Sequence, residues 1–270
     1  MTYHDTVIAP VNFLVKGSVK PRIFVDENGK PGHREDFPRQ ERHVAIRDVR
    51  PSASDYELER DGLAFATHHS TVPSFEEFEQ HHTTYDAEIR SLIRSLTPAS
   101  EVVVFDHTLR WDTPGRTGRK PVRHAHGDYT ARSGPQRLAD LLAADEASRW
   151  VHKHFGIIDA WRPINGTVQS APLAFVEPKS LSSGDLLATD LVYPNRVGEI
   201  YELTYDPSHS WNYLSEQENH EVTLFKTLDS AFGDTQEIAP HTAFDLPITR
   251  QHPRPRHSIE SCALVLFDCA

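Results

Sequence analysis

His126, Gly127 and Asp128 stand together near the middle of the chain. His241 follows a little over a hundred residues later, and Arg256-His257-Ser258 comes shortly after it. Two imidazoles and one carboxylate can hold one face of an octahedral Fe(II) and leave the opposite face open. A 2-oxo acid and O2 could then bind there. An arginine behind the second histidine suits the far carboxylate of 2-oxoglutarate, because its planar fork makes two charge-assisted hydrogen bonds to a carboxylate. Residues two apart on a strand share a face, so His126 would align with Asp128 and Arg256 with Ser258. Gly127 between the first pair either removes bulk from the opposite face or lets the strand end bend.

Other readings of these residues stand beside this one. A His-x-Asp pair arises easily by chance, His241 could cap a turn at Pro240, and Arg256 could be a surface charge. His124-Ala125-His126 opens like a cupin motif, but no Glu follows at the required distance, so Asp128 would have to substitute. In another strand register His124 replaces His126 as the ligand. The pairs His68-His69 and His81-His82 read as satisfied or solvent-facing histidines. No Gly-x-Ser-x-Gly elbow, phosphate-cradling loop or dinucleotide fingerprint is present. Cys262 lies in an apolar run with no flanking base and reads as a buried structural thiol.

The elements that must position these groups are mostly short strands. At 270 residues the chain can bury a core without disulfides or zinc. Its two cysteines, Cys262 and Cys269, form no CxxC and point to a reduced, cytoplasmic setting. A net charge of −11 without a basic stripe argues against nucleic acid. No apolar stretch is long enough to span a membrane. Nineteen prolines favour a loop-rich β protein over a helical bundle.

Strands are expected at 12–15, 22–26, 43–46, 63–67, 101–109, 157–161, 173–176, 199–205, 221–228 and 258–267, with a turn at 26–32 led by Asn28-Gly29. A helix is expected from an N-cap at Ser74, with a break allowed, through Ile89, Leu92, Ile93 and Leu96 to Pro98. A second helical region lies between Gly134 and His154. The fold expected is mainly β with a few helices, on a jelly-roll, cupin-like core. We read one domain, 1–270, whose first hundred residues form a strand-and-helix extension packed on that core.

At these residues the chain also resembles a known family. The resemblance covers most of the chain and rests on Phe105-Asp106-His107-Thr108-Leu109-Arg110, on His126-Gly127-Asp128-Tyr129-Thr130 with 121–123, and on Arg256-His257-Ser258-Ile259-Glu260. Residues 161–164, 170–174, 193–199, 209–213 and 240–245 complete it. The chain looks like the fungal and bacterial oxygenase-like proteins that include gibberellin desaturase and the cephalosporin 7α-methoxylation accessory protein. That resemblance implies a double-stranded β-helix, with Fe(II), 2-oxoglutarate and O2 as cofactors and His126, Asp128 and His241 as the iron ligands. It also implies that Arg256 meets 2-oxoglutarate, and that the reaction is hydroxylation or desaturation of a small secondary metabolite. Two positions depart from the family pattern: Gly127-Asp128-Tyr129 stands where Val-Asp-Gln is frequent, and Cys262 replaces a common arginine.

Further candidates follow from residue type. Ser258 is placed with Arg256 on the co-substrate. Arg162, at the end of a core strand, is assigned to a carboxylate of the co-substrate or substrate, or else to an internal acid. Tyr129, Tyr193, Arg196, Trp211 and Tyr213 are expected around the substrate, although for Trp211 and Tyr213 an aromatic core is the favoured reading. The substrate pocket is expected between the metal strand, the N-terminal extension and the 193–213 region. The expected partner is a small-molecule substrate, and a homodimer is compatible with the sequence. Two alternatives remain open: an iron oxygenase or oxidase that does not use 2-oxoglutarate, and a non-catalytic accessory protein.

Overall fold

A computed structural model describes residues 6–25, 33–231, 238–247 and 251–268. The strands in chain order are β1 (Thr6–Leu14), β2 (Arg22–Val25), β3 (His33–Glu35), β4 (Arg39–Asp48), β5 (Leu63–Thr67), β6 (Glu101–Trp111), β7 (His126–Gly127) and β8 (Phe155–Pro163). Then come β9 (Leu173–Val176), β10 (Leu186–Val192), β11 (Val197–Leu203), β12 (Trp211–Tyr213), β13 (Glu221–Asp229), β14 (His241–Ala243) and β15 (His257–Leu266). The α-helices are α1 (Leu58–Asp61), α2 (His82–Leu96), α3 (Ser133–Leu141) and α4 (Ala144–Trp150).

The strands form two sheets. Ten run in the order β1-β4-β12-β9-β14-β7-β11-β10-β2-β3, and five in the order β5-β13-β8-β15-β6. Pairing is antiparallel except at β2–β10 and β4–β12. Trp161 and Phe225 of the smaller sheet pack with Leu173 and Phe175 of the larger one, so the sheets meet face to face in a jelly roll. The N-terminal strands are hydrogen-bonded into both sheets rather than laid over them.

Alternation along β8 explains its two faces. Phe155, Ile157 and Trp161 join clusters on one side, while Ile158 and Ala160 join the cluster under α2 on the other. α2 buries Tyr85, Ile89, Leu92 and Ile93 against that outer face. The helix starts later than its N-cap signal suggested. The Ser74 hydroxyl accepts from the Glu76 amide in a local turn, a short 3-10 segment follows at Phe78–Gln80, and α2 begins at His82. Serine satisfies a nearby amide as readily in a turn as at a helix start. At the other end, Leu96 is 37% exposed, off the buried stripe.

The helical region at 134–154 is two helices, α3 and α4, which cover the inner-face residues Phe155, Ile157, Leu264 and Leu266. Gly134 lets α3 approach β13 closely, since a Cβ there would lie 2.4 Å from Leu228 Cδ2. Strands β3, β10 and β14 are not among the expected segments, although the apolar run 186–192 of β10 does carry a strand signal. The expected turn at 26–32 and Cys269 lie outside the described residues.

Ile93→Ala should lower the unfolding free energy by about 2–5 kcal/mol, from lost transfer energy and a cavity under α2. Leu96→Ala should change it by about 0.5 kcal/mol or less. Urea unfolding of the two variants separates them, and equal losses would mean that α2 is not docked by this face.

Candidate metal centre

His126 lies on β7 and His241 on β14, and the two residues are directly paired across these antiparallel strands. Their rings lie 4.5 Å apart between centroids. The strands are very short, so neighbours set their register. The Ala125 amide donates to the Asn12 carbonyl, the Leu203 amide to the Ala125 carbonyl, and the Ala243 amide to the Val122 carbonyl. The segment before β7 is thereby held between β1, β11 and β14.

Each imidazole is anchored through Nδ1. His126 Nδ1 donates to the His124 carbonyl at 2.9 Å, and His241 Nδ1 donates more weakly to the Ala239 carbonyl at 3.3 Å. With Nδ1 protonated, Nε2 carries the free lone pair, the arrangement usual for histidines that bind metal. The two Nε2 atoms lie 3.7 and 3.6 Å from the Asp128 carboxylate oxygens. These separations are too long for hydrogen bonds. One donor atom from each residue falls in a group spanning no more than 4.8 Å. Asp128 Oδ2 is buried and has no hydrogen-bond partner. Burial, then the charge of His241, holds the His126 pKa below its usual value, so its ring is neutral. Burial pushes Asp128 up, but His241, His126 and Arg110 outweigh it and keep this carboxyl below the usual range. Two imidazoles and a carboxylate whose donor atoms converge on one point fit one divalent ion.

His124 is not part of this group. Its Nε2 faces the fully buried Glu202 at 3.3 Å, and Glu202 also accepts from Arg39. Among the described residues, His126 and not His124 falls in the group whose donor atoms could hold one ion. A Cβ on Gly127 would lie 3.3 Å from the Ile238 side chain, so the glycine does remove bulk from the reverse face.

Behind the histidines a narrow cleft is lined by His126, His241, Trp161, Leu173, Glu260 and Arg256. Arg256 is buried, donates from Nη1 to the Ala171 carbonyl, and leaves Nε without a partner. Burial, then Arg110, pushes its pKa down to about 9. The Ser258 hydroxyl is also buried and unpartnered. A guanidinium and a hydroxyl, both desolvated and incompletely bonded, fit a carboxylate ligand.

A larger pocket of about 660 Å³ also reaches Asp128, sharing Arg110 and Glu260 with the cleft, and Tyr129, Tyr193 and Arg196 line it. So does Cys262, which means that both departures from the family pattern, Tyr129 and Cys262, lie in this wall. The remaining wall comes from β6, α3, β10, β11 and β15 and from the loop residues Arg119 and Arg132, with none from the first hundred residues. The pocket is strongly polar, with Arg110, Arg132 and Arg137 beside Glu199 and Glu260. Arg110 pairs with Glu260 at 3.2 Å, and Arg132 with Glu199 at 3.2 Å.

Three sequence candidates sit elsewhere. Trp211 and Tyr213 are buried on β12, edge-on to Phe13 and Phe244, as aromatic core. Arg162 follows Trp161, so strand alternation turns it to the outer face of β8, away from the histidines. One residue escaped sequence reasoning. Asp159 is fully buried on β8, directly opposite Cys262, within hydrogen-bond reach of Asp128 and the Cys262 thiol. Burial, then the charges of Asp128 and Glu260, pushes its pKa far up, so it stands beside Asp128 as a neutral acid. Its signal was a lone acid inside the apolar run 156–161.

Comparison with known proteins agrees with this geometry. The oxidoreductase/YMDC permease-like domain family matches residues 11–266. The alpha-ketoglutarate-dependent dioxygenase phiK, from a fungal species, is 30% identical over 237 residues, 83% of each chain. The hydroxylase/desaturase efuI of Hormonema carpetanum is 27% identical over 251 residues, again 83% of each. The Fe(II)/2-oxoglutarate-dependent dioxygenase nvfI of Aspergillus novofumigatus is 27% identical over 255 residues, 91% of each. A solved structure of the iron and alpha-ketoglutarate-dependent endoperoxidase NvfI superposes with a TM-score of 0.89 over the full length of both chains, at 22% identity, which supports the fold. By its match along nearly the whole chain the protein belongs to the oxidoreductase/YMDC permease-like domain family, and by these relatives to the Fe(II)/2-oxoglutarate-dependent dioxygenases.

Proposed function

We propose that the chain hydroxylates or desaturates a C–H bond of a small secondary metabolite. His126, Asp128 and His241 hold Fe(II), and Arg256 with Ser258 holds 2-oxoglutarate. The observation that carries this reading is the convergence of two Nε2 lone pairs and an orphaned carboxylate oxygen beside a buried guanidinium that has no carboxylate partner. Bound iron would supply the oxidation of an unactivated C–H bond by O2, coupled to decarboxylation of the 2-oxo acid.

The chain's own residues supply position and exclusion. The His124 and Ala239 carbonyls fix the tautomer and orientation of the two imidazoles. Arg256 and Ser258 fix the co-substrate's far end, so that its other end reaches the metal. Trp161 and Leu173 keep water from the cleft. Tyr129, Tyr193 and Arg196 form the substrate wall on the Asp128 side. Arg196 stacks 4.1 Å from the Tyr193 ring and supplies a cationic handle at the pocket rim. The proposal extends to one domain spanning 1–270, a cytoplasmic location and a homodimer. No described helix is long and apolar enough to cross a membrane. Light scattering tests the dimer.

Anaerobic titration with Fe(II) and 2-oxoglutarate should produce the weak visible charge-transfer band of a chelated 2-oxo acid. His241→Ala should lose stoichiometric iron and turnover together, and full iron binding with normal turnover in that variant would remove the assignment. Arg256→Lys should keep iron but weaken 2-oxoglutarate about tenfold or more, because it loses the fork.

Arg256→Met should abolish co-substrate binding. It should leave the ligand-free protein as stable as before, or more stable by about 1 kcal/mol, because an unpaired buried cation is removed. Thermal unfolding without ligands checks this, and a loss of several kcal/mol would give Arg256 a structural role instead.

A further inference from the structure

Among the described residues two arginines are fully buried, Arg256 and Arg162. The first faces the co-substrate cleft. The second faces away from it and has no role in the reaction proposed above. Arg162 is 1% exposed. Its Nη2 donates to His68 Nδ1 at 2.6 Å, and its Nη1 approaches the Asn219 carbonyl at 3.4 Å. Nε is buried and unpartnered, and Cζ lies 5.6 Å from the Tyr85 ring centroid.

None of these neighbours is an anion. Burial, then Arg162 itself, holds the His68 pKa down against the pull of Glu88, whose carboxylate is bonded to Ser70 and Thr71, so this ring accepts as a neutral base and Arg162 has no directly bonded counter-charge. By contrast, the half-buried Arg39 and Arg110 are paired with Glu202 and Glu260. A guanidinium out of water with no counter-charge is costly, and incomplete hydrogen bonding adds to the cost.

The charge is not sealed in. Arg162 lines a cavity of about 370 Å³ on the outer side of the five-stranded sheet, a size in the range of small-ligand pockets. His69 and His220 stack in its wall with ring centroids 5.1 Å apart and planes within 6°. Phe75 and Trp111 give it apolar surface, and Asn219 gives it an amide. Glu76 is the one acid in the wall, and its carboxylate is turned to Arg116. The cavity thus combines one buried cation, polar groups and an aromatic side, with no free anion.

The geometry points to a second binding site, separate from the metal centre, for a small organic anion. Its oxyanion group would sit on the Arg162 guanidinium, and its body against Phe75 and Trp111. His257 also lines this cavity, between Arg256 and Ser258 in sequence, so the site lies on the reverse face of the strand that carries the co-substrate anchor.

The test uses the full chain carrying Arg256→Met, which removes the co-substrate anchor, with benzoate and phenyl phosphate as probes. Calorimetry should show saturable one-to-one binding of at least one probe. Arg162→Lys, added to that background, keeps the charge but loses the fork and should weaken binding at least tenfold. His220→Ala alters only the exposed wall and should also weaken it, which keeps the test decisive if Arg162→Lys does not fold. A crystal soaked with the bound probe should show its oxyanion at Arg162. The site is overturned if neither probe saturates, or if both added variants bind as tightly as their parent. Iron and 2-oxoglutarate titration of the unaltered chain is read separately, so either conclusion can fail alone.

Discussion

The whole arrangement depends on one strand pairing, β7 against β14, which sets His126 directly opposite His241. Strands of two and three residues cannot hold a register through their own hydrogen bonds. The register is imposed by β9 and β11 on either side, and by backbone bonds from β1 and from the segment before β7. A slip of one residue would turn each imidazole to the opposite face. Asp128 follows β7 immediately, so the carboxylate is placed by the same constraint.

The site gathers polar groups that are expensive to bury. Asp128 Oδ2, Arg256 Nε and Ser258 Oγ have no hydrogen-bond partner. Most buried polar atoms in folded proteins are bonded, so a cluster of exceptions marks stability given up for a ligand. The surrounding framework compensates with apolar packing. Trp161, Phe175 and Phe225 close the space between the sheets, and α2 covers the outer face of the smaller one. Ion pairs such as Arg39–Glu202 and Lys226–Asp229 fill the deeper polar positions.

The smaller sheet separates two environments with one set of strands. On β8, Asp159 and Trp161 face the metal side while Arg162 faces the outer cavity. On β15, Ser258 and Glu260 face inward and Ile259 packs under α2. Period-two alternation is enough to give adjacent residues unrelated partners.

Residue types and spacings carried much of this. The His-x-Asp pair, the distant histidine and the Arg-x-Ser pair named the residues that converge, and runs such as 63–67 and 173–176 matched their strands. Alternation and apolar helical spacing are local properties, so they can be read before folding. What the sequence could not decide was which side of a strand each candidate occupies and what lies across from it. Arg162 looked like a cofactor residue until β8 turned it outward. Trp211 and Tyr213 suited either a pocket wall or an aromatic core, with core favoured, and pairing with β4 and β9 placed them in the core. Asp159 gained its place only when β15 set it opposite Cys262, beside Asp128. The sequence thus determined the chemistry available to this protein. Only tertiary structure decided which groups share one desolvated space, because burial and long-range register are set by strands far apart in the chain.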